Sequence, residues 1–143
     1  MSLIGDYDSG NIFAKILSGD IPCAKVYEDE NILAFMDAFP QAKGHTLVIP
    51  KAPSRNLFDA DKDTLLPIIL AVQKIGQAVI SAMSPSGVVI TQFNGAPAGQ
   101  TVFHLHFHII PRYEGTELGA HSGGQMASAE TLSAQARLIA AHL

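Results

Sequence analysis

Only one cysteine, Cys23, occurs among the 143 residues, so no disulfide can form within the chain. A thiolate metal cluster would need ligands from elsewhere, and thiol poverty suits a reducing compartment, so cytoplasmic residence is the expectation. Charge is also sparse. Charged residues make up 15% of the chain, with 9 Lys and Arg against 13 Asp and Glu, a formal net charge of −4. That deficit of cations argues against a surface that tracks the backbone of DNA or RNA. A single nucleotide stays open, because its phosphate can be held by backbone N–H groups and imidazoles. Long hydrophobic runs are missing as well. The most apolar stretch, about Leu65 to Val72, is too short to span a bilayer and contains Pro67. The opening Met1-Ser2-Leu3-Ile4-Gly5-Asp6-Tyr7-Asp8 has neither the basic start nor the apolar core of a secretory signal, so no membrane partner is expected.

What is present is apolar. A hydrophobic content of 48% supports a packed globule, and a chain of this length fits one domain, residues 1–143. At this size, roughly two thirds of the unfolded surface can be buried without staples. Ile12, Phe13, Ile16 and Leu17 fall at helical spacing within Asn11 to Ser18, with Gly19 and Pro22 as stops. Lys25 to Glu28, Ile32 to Asp37 and His45 to Pro50 read as strands separated by short turns, an antiparallel meander. From Asp61 to Met83 the period turns helical, and Leu65, Ile69, Val72, Ile75, Val79 and Met83 trace one apolar stripe. Pro67 lies too deep for the first helical position, which predicts a frayed start or a kink. Val88 to Phe93 reads as a fourth strand and Phe103 to Ile110 as a fifth. Tyr113 to Ser128, rich in Gly and Ser, reads as a loop or flap before a C-terminal helix carrying Leu132, Ala136, Ile139 and Ala140. The expected class is therefore α+β, a five-stranded antiparallel meander sheet with a long helix and short N- and C-terminal helices. No internal repeat and no second domain are apparent.

The chemistry concentrates in Val102 to Arg112. His104, His106 and His108 alternate there with Phe103, Leu105, Phe107 and Ile109. Residues two apart on a strand share a face, so the three imidazoles are predicted to point one way with apolar side chains behind them. The bland alternative is three hydrogen-bonded core histidines, each needing its own buried partner. A metal site is another, since His-x-His on a strand offers two ligands, but the downstream sequence offers no obvious carboxylate or cysteine cluster to complete it.

The run His104-Leu105-His106-Phe107-His108-Ile109-Ile110 resembles the signature of the histidine triad family of nucleotide hydrolases and transferases. The segments Asn11 to Pro22, Leu33 to Ala42 and Gly44 to Lys51 resemble that family in its order and spacing. The likeness runs from about residue 11 to residue 115 and leaves 116–143 as a flexible segment and helix. The first third looks like the phosphoramidase branch, whereas Ala98 to Val102 and Ile110 to Arg112 look closer to the dinucleoside-polyphosphate branch.

The resemblance implies roles. His106 would attack the α-phosphorus of a purine nucleoside phosphoramidate or dinucleoside polyphosphate and carry the nucleotide covalently, its other ring nitrogen donating to a backbone carbonyl. His108 would donate to a phosphate or bridging oxygen, and His104 would support ring orientation. Asn94, Gly99, Gln100 and Thr101 resemble the phosphate-contacting loop, although an ordinary strand connection has the same composition. Asp37 matches the ribose-binding carboxylate, although an aspartate at a strand end is more often a turn residue. Phe13, Ile16 and Phe35 match base-pocket positions, and their periodicity suits plain core equally well. Metal-binding relatives carry Cys-x-x-Cys, a histidine in the Gly-His segment and the first triad histidine. Here Asn11 and Ala14 replace the cysteines and leave His45 and His104 as at most half a site, so no metal and no cofactor are expected. The family further implies a purine nucleotide partner, as AMP conjugates, and pairing into a homodimer. A nucleotide sensor and a histidine-metal hydrolase are the competing functional classes.

Overall fold

The computed structural model describes residues 3–118 and 124–143 and shows an α+β fold built on one five-stranded sheet. The elements are α1 (Ile12–Leu17), β1 (Lys25–Glu28), β2 (Ile32–Met36), β3 (Thr46–Pro50), α2 (Lys62–Met83), β4 (Gly87–Thr91), β5 (Phe107–Arg112) and α3 (Ala129–Ala140). All strand pairings are antiparallel, in the spatial order β1-β2-β3-β5-β4. The first three strands form the expected meander. The α2 crossover then carries the chain past one strand position, β4 takes the edge, and β5 returns to fill the gap.

Each helix begins where a short polar side chain satisfies a free N–H group. Asn11 Oδ1 accepts from Ala14 N at 2.9 Å and Asp61 Oδ1 from Thr64 N at 2.9 Å, caps worth about 1 kcal/mol each. Ser128 Oγ does the same for Thr131 N at 3.1 Å. α2 runs unbroken through Pro67. The residue lies early enough that its ring costs one backbone bond, to the carbonyl of Asp63, without ending the helix.

Period-two alternation assigns the two faces of the sheet. Ile32, Ala34, Met36, Val48 and Ile109 pack with Ile68, Val72, Ile75 and Val79 of α2 and with Leu132, Ala136 and Ile139 of α3. Leu33, Phe35, Leu47 and Ile49 turn the other way, onto Phe13 of α1. β2 and β3 are therefore buried along their whole length. The expected stripe on α2 needs one correction. Ile69 is about half exposed, and Ile68 takes the buried place, because 100° per residue rotates Ile69 off the line formed by Ile68, Val72, Ile75 and Val79. Leu66, Ile69, Leu70 and Ile80 form a second, outward apolar face. By length and composition α2 could cross a membrane, yet its inner side is the core of the sheet.

A second correction concerns the histidine segment. The ladder of β5 starts at Phe107, paired with Val48, so His104 and His106 precede the strand instead of lying on it. Upstream of Phe107 the polar groups bond elsewhere: Leu105 N donates to Ser54 O at 2.8 Å, and the His104 ring reaches Pro50 O. Gly44 supplies the turn into β3 with φ +89, a conformation that a side chain disfavours. Among the described residues of Tyr113 to Ser128 there is no helix or strand beyond the turn at residues 114–115, and residues 119–123 of the expected flap lie outside the described residues.

Candidate active site

On the face opposite α2, α1 stops short of covering the sheet and leaves a cavity of about 710 Å³. Binding clefts for small ligands span roughly 300–1,000 Å³. The apolar wall comes from Ile12, Phe13 and Ile16 of α1, Phe35 of β2 and Leu47 of β3, with Val102 and Met126 at other points of the rim. Asp37, Thr101, His45, His106 and His108 supply polar groups.

The hydrogen bonds fix the ring nitrogens of His106. Its Nδ1 lies 2.7 Å from the carbonyl oxygen of His104, and since a carbonyl only accepts, Nδ1 carries the proton. In the neutral ring the lone pair then belongs to Nε2. The Phe13 ring stands edge-on to the imidazole, centroids 4.9 Å apart at 90°, and holds its plane.

A second chain starts at Gln41, whose backbone N–H donates to His45 Nδ1 at 3.0 Å. His45 Nε2 must then be the protonated nitrogen. It faces His108 Nδ1 at 2.9 Å and Asp37 Oδ2 at 3.4 Å. His108 Nδ1 is consequently an acceptor and its Nε2 an N–H donor beside His106, the two ring centroids being 5.1 Å apart. One imidazole thus presents a lone pair and its neighbour a proton.

His104 is completely buried and does not line the cavity. Its Nε2 donates to Pro50 O at 2.8 Å, and its Nδ1 lies 2.6 Å from the Tyr7 hydroxyl. Burial pushes its pKa below the ordinary 6.5, and the Pro50 carbonyl opposes that only in part.

The expected phosphate loop divides. Thr101 is exposed at the cavity, whereas Gln100 is buried and braces the loop: its Oε1 accepts from Gly95 N at 2.8 Å, and its Nε2 donates to Arg55 O and Val102 O. Asn94 is likewise committed to Leu57 N and Gln92. Gly99 closes the turn at φ +110, where a Cβ would meet the Phe93 ring at 3.3 Å. These three residues shape the loop: both Gln100 amide atoms are bonded to backbone groups, and Asn94 holds Leu57 N and Gln92 through Oδ1 and donates through Nδ2 to Gln92 Oε1. Asp37 is a turn residue, its Oδ1 accepting from Phe39 N at 2.8 Å, and it also lines the cavity.

The supposed metal half-site of His45 and His104 does not form, because each ring is bonded to different partners. Asp37, His45 and His108 do come together, with ligand atoms within 4.8 Å of one another. Their arrangement is that of a hydrogen-bonded relay: a tetrahedral ion about 2.1 Å from two imidazole nitrogens holds them roughly 3.4 Å apart, wider than the 2.9 Å between His45 and His108. Sequence reasoning missed His45 as a member of the histidine cluster and missed Tyr7 altogether. For His45, its place immediately before a fully buried strand was the available signal, and for Tyr7 there was none.

Fold and site together define a small α+β protein whose cavity pairs a lone-pair imidazole with a proton-bearing one. Residues 18–115 match the family model for the HIT domain, and the chain belongs to the histidine triad family. It is similar to the protein hit of Bacillus subtilis, 49% identical over 110 residues that make up 76% of each chain. It also resembles adenosine 5'-monophosphoramidase hnt1 of Schizosaccharomyces pombe, 42% identical over 101 residues, 71% of this chain and 73% of that one. Among solved structures, a Hit-like protein from Bartonella henselae involved in cell-cycle regulation is 54% identical, with a TM-score of 0.90 over 96% of this chain and 100% of that one.

Proposed function

We propose that the chain is a nucleotide hydrolase acting at the α-phosphorus of purine nucleoside phosphoramidates or dinucleoside polyphosphates through a covalent nucleotidyl-His106. The observation that carries this reading is the His106 Nδ1 bond to the His104 carbonyl, which in the neutral ring makes Nε2 the lone-pair nitrogen of a residue lining the cavity. Attack by Nε2 forms a P–N bond, and the bond to the amine or phosphate breaks with its electron pair going to the leaving group, which takes up a proton from solvent. Water then attacks the same phosphorus, the P–N bond breaks with its pair returning to Nε2, and the water's proton goes to solvent as AMP leaves and the neutral ring is restored. Both His108 and Asp37 line the cavity; in this reading the His108 N–H donates to phosphate oxygens as charge develops, and Asp37 accepts from ribose hydroxyls. Phe13, Ile16 and Phe35 offer the apolar slot for the base, Thr101 stands at the phosphate side, and Asn94, Gly99 and Gln100 hold its loop in shape. The relative named as an adenosine 5'-monophosphoramidase supports the phosphoramidate half of the reading.

The test is incubation with adenosine phosphoramidate and with diadenosine polyphosphates, followed by intact mass and product analysis. An AMP adduct on His106 with AMP as product is expected. A protein that binds these nucleotides and never turns them over is a sensor, and turnover that EDTA abolishes and added metal restores identifies a metal hydrolase.

We place this single-domain protein in the cytoplasm and pair it as a homodimer. Strand β4 is an open edge carrying the exposed Ile90, and the outward face of α2 adds Leu66, Ile69, Leu70 and Ile80. A second copy joined edge to edge would continue the sheet and cover that apolar surface.

A further inference from the structure

The segment before α1 lies outside the matched family region and makes several contacts with the site's scaffold. Asn56 Nδ2 donates to Leu3 O at 2.7 Å, Arg55 Nη1 to Asp6 O at 3.2 Å, and the Tyr7 hydroxyl lies 2.6 Å from His104 Nδ1. Asn11 Nδ2 donates to the same hydroxyl at 3.0 Å. The phenol therefore receives one hydrogen bond and sends its own proton to His104, whose Nε2 is already committed to Pro50 O at 2.8 Å. Only one proton arrangement satisfies every group, with His104 neutral and protonated on Nε2.

We propose that Tyr7, held by Asn11, is a positioning residue that fixes the tautomer and the backbone of His104 and through it the nucleophilic direction of His106. The link is the main chain. His106 is aimed by the His104 carbonyl at 2.7 Å, and that carbonyl belongs to the stretch ahead of β5 that no sheet ladder orders. Residue 104 is pinned instead by the two bonds of its own ring, with the Leu105 N–H on Ser54 O as the next anchor. Loss of the phenol would leave Nδ1 of a completely buried ring without its donor, and the ring and its carbonyl would sample other settings. Misaiming a reacting group by a fraction of an ångström slows chemistry more than it weakens binding.

This inference rests on His106 as the nucleophile. Tyr7→Phe keeps the ring, which packs edge-on to His104 at 5.6 Å between centroids, and removes only the hydroxyl. With adenosine phosphoramidate, kcat is expected to fall about fivefold while KM stays within about twofold, since a hydrogen bond of this kind is worth about 1 kcal/mol and the binding walls are untouched. Ring-nitrogen NMR on the unliganded protein should show His104 protonated on Nε2 with Nδ1 hydrogen-bonded in the parent. The Nδ1 resonance should move in the variant. Asn11→Ser keeps the α1 cap but releases the phenol, and should give a smaller loss in kcat with the same direction of shift. An unchanged kcat in Tyr7→Phe, or an unchanged His104 resonance, overturns the proposal. If Tyr7→Phe does not fold, an unaltered kcat and spectrum in Asn11→Ser overturn it equally. A parent that turns over no nucleotide conjugate defeats the hydrolase reading, and the ring-nitrogen spectra then decide the tautomer by themselves.

Discussion

Replacing Gly44 by alanine separates two costs that the structure assigns to different atoms. At φ +89 an alanine occupies left-handed space, which costs about 1–2 kcal/mol. An added Cβ would also stand 3.0 Å from Met83 Cγ and 3.2 Å from Pro111 Cγ. Met83 is buried and Pro111 is a ring within β5, so neither can swing clear, and such overpacking costs about 1–3 kcal/mol. Gly19 provides the control, because its φ of +87 is nearly the same and nothing lies within 4 Å of its added Cβ. Gly19→Ala should therefore lower the unfolding midpoint by about 3 °C and Gly44→Ala by about 10 °C, at roughly 3–4 °C per kcal/mol for a domain of this size. Scanning calorimetry on the two variants and the parent gives both numbers. Equal shifts for the two would show that the Met83 and Pro111 contacts relax freely, and the packing argument would be wrong.

Other outcomes follow from the site and the surface. His106→Asn should lose turnover by on the order of 10³-fold or more, with the fold intact by circular dichroism, and should accumulate no AMP adduct; measurable adduct would move the nucleophile elsewhere. Turnover should be indifferent to EDTA, and a loss restored by zinc would reinstate the Asp37, His45 and His108 group as a metal site. The depressed pKa of His104 means that the unfolded chain takes up a proton near 6.5 and the folded chain does not. This contribution to stability is complete above that pH and shrinks as pH falls below it, so urea midpoints should drop between pH 7.5 and 5.5. A rise would contradict the buried neutral ring. Light scattering at micromolar concentration should report two copies, and Ile69→Lys combined with Ile90→Lys should give a monomer that keeps its circular dichroism spectrum.

Most of the fold was legible because its elements carry strong local signals. The Gly19 and Pro22 stops, the short turns bounding β2 and β3 and the 3.6-residue period of α2 placed those elements within a residue or two. The start of β5 was not legible. Alternation of histidine with apolar residues reports an extended backbone, but whether that backbone joins a ladder depends on Pro50 and Ser54, which accept from His104 and Leu105 instead. The site was legible where residues lie near one another in the chain, as with His106 and His108. It was hidden where strand register makes the contact. Leu47 pairs with His108, which brings His45 beside it, and no local pattern encodes that encounter. Asn94 and Gln100 show the converse, for the sequence advertises their amides without revealing that they bond to Gln92, to Leu57 N and to backbone groups of the loop.

The late arrival of β5 between β3 and β4 has a consequence for biosynthesis. During synthesis β1 to β4 emerge before β5, and the slot beside β3 stays open because β4 has a ladder with β5 alone. The pairing that fills the slot joins residues about 60 positions apart, as in Thr46 with Ile109, and such long-range closure is slow. His106 and His108 arrive with this last strand, so the cavity is complete only once the whole sheet has closed, and the open edge of β3 is where truncated chains would stick to one another.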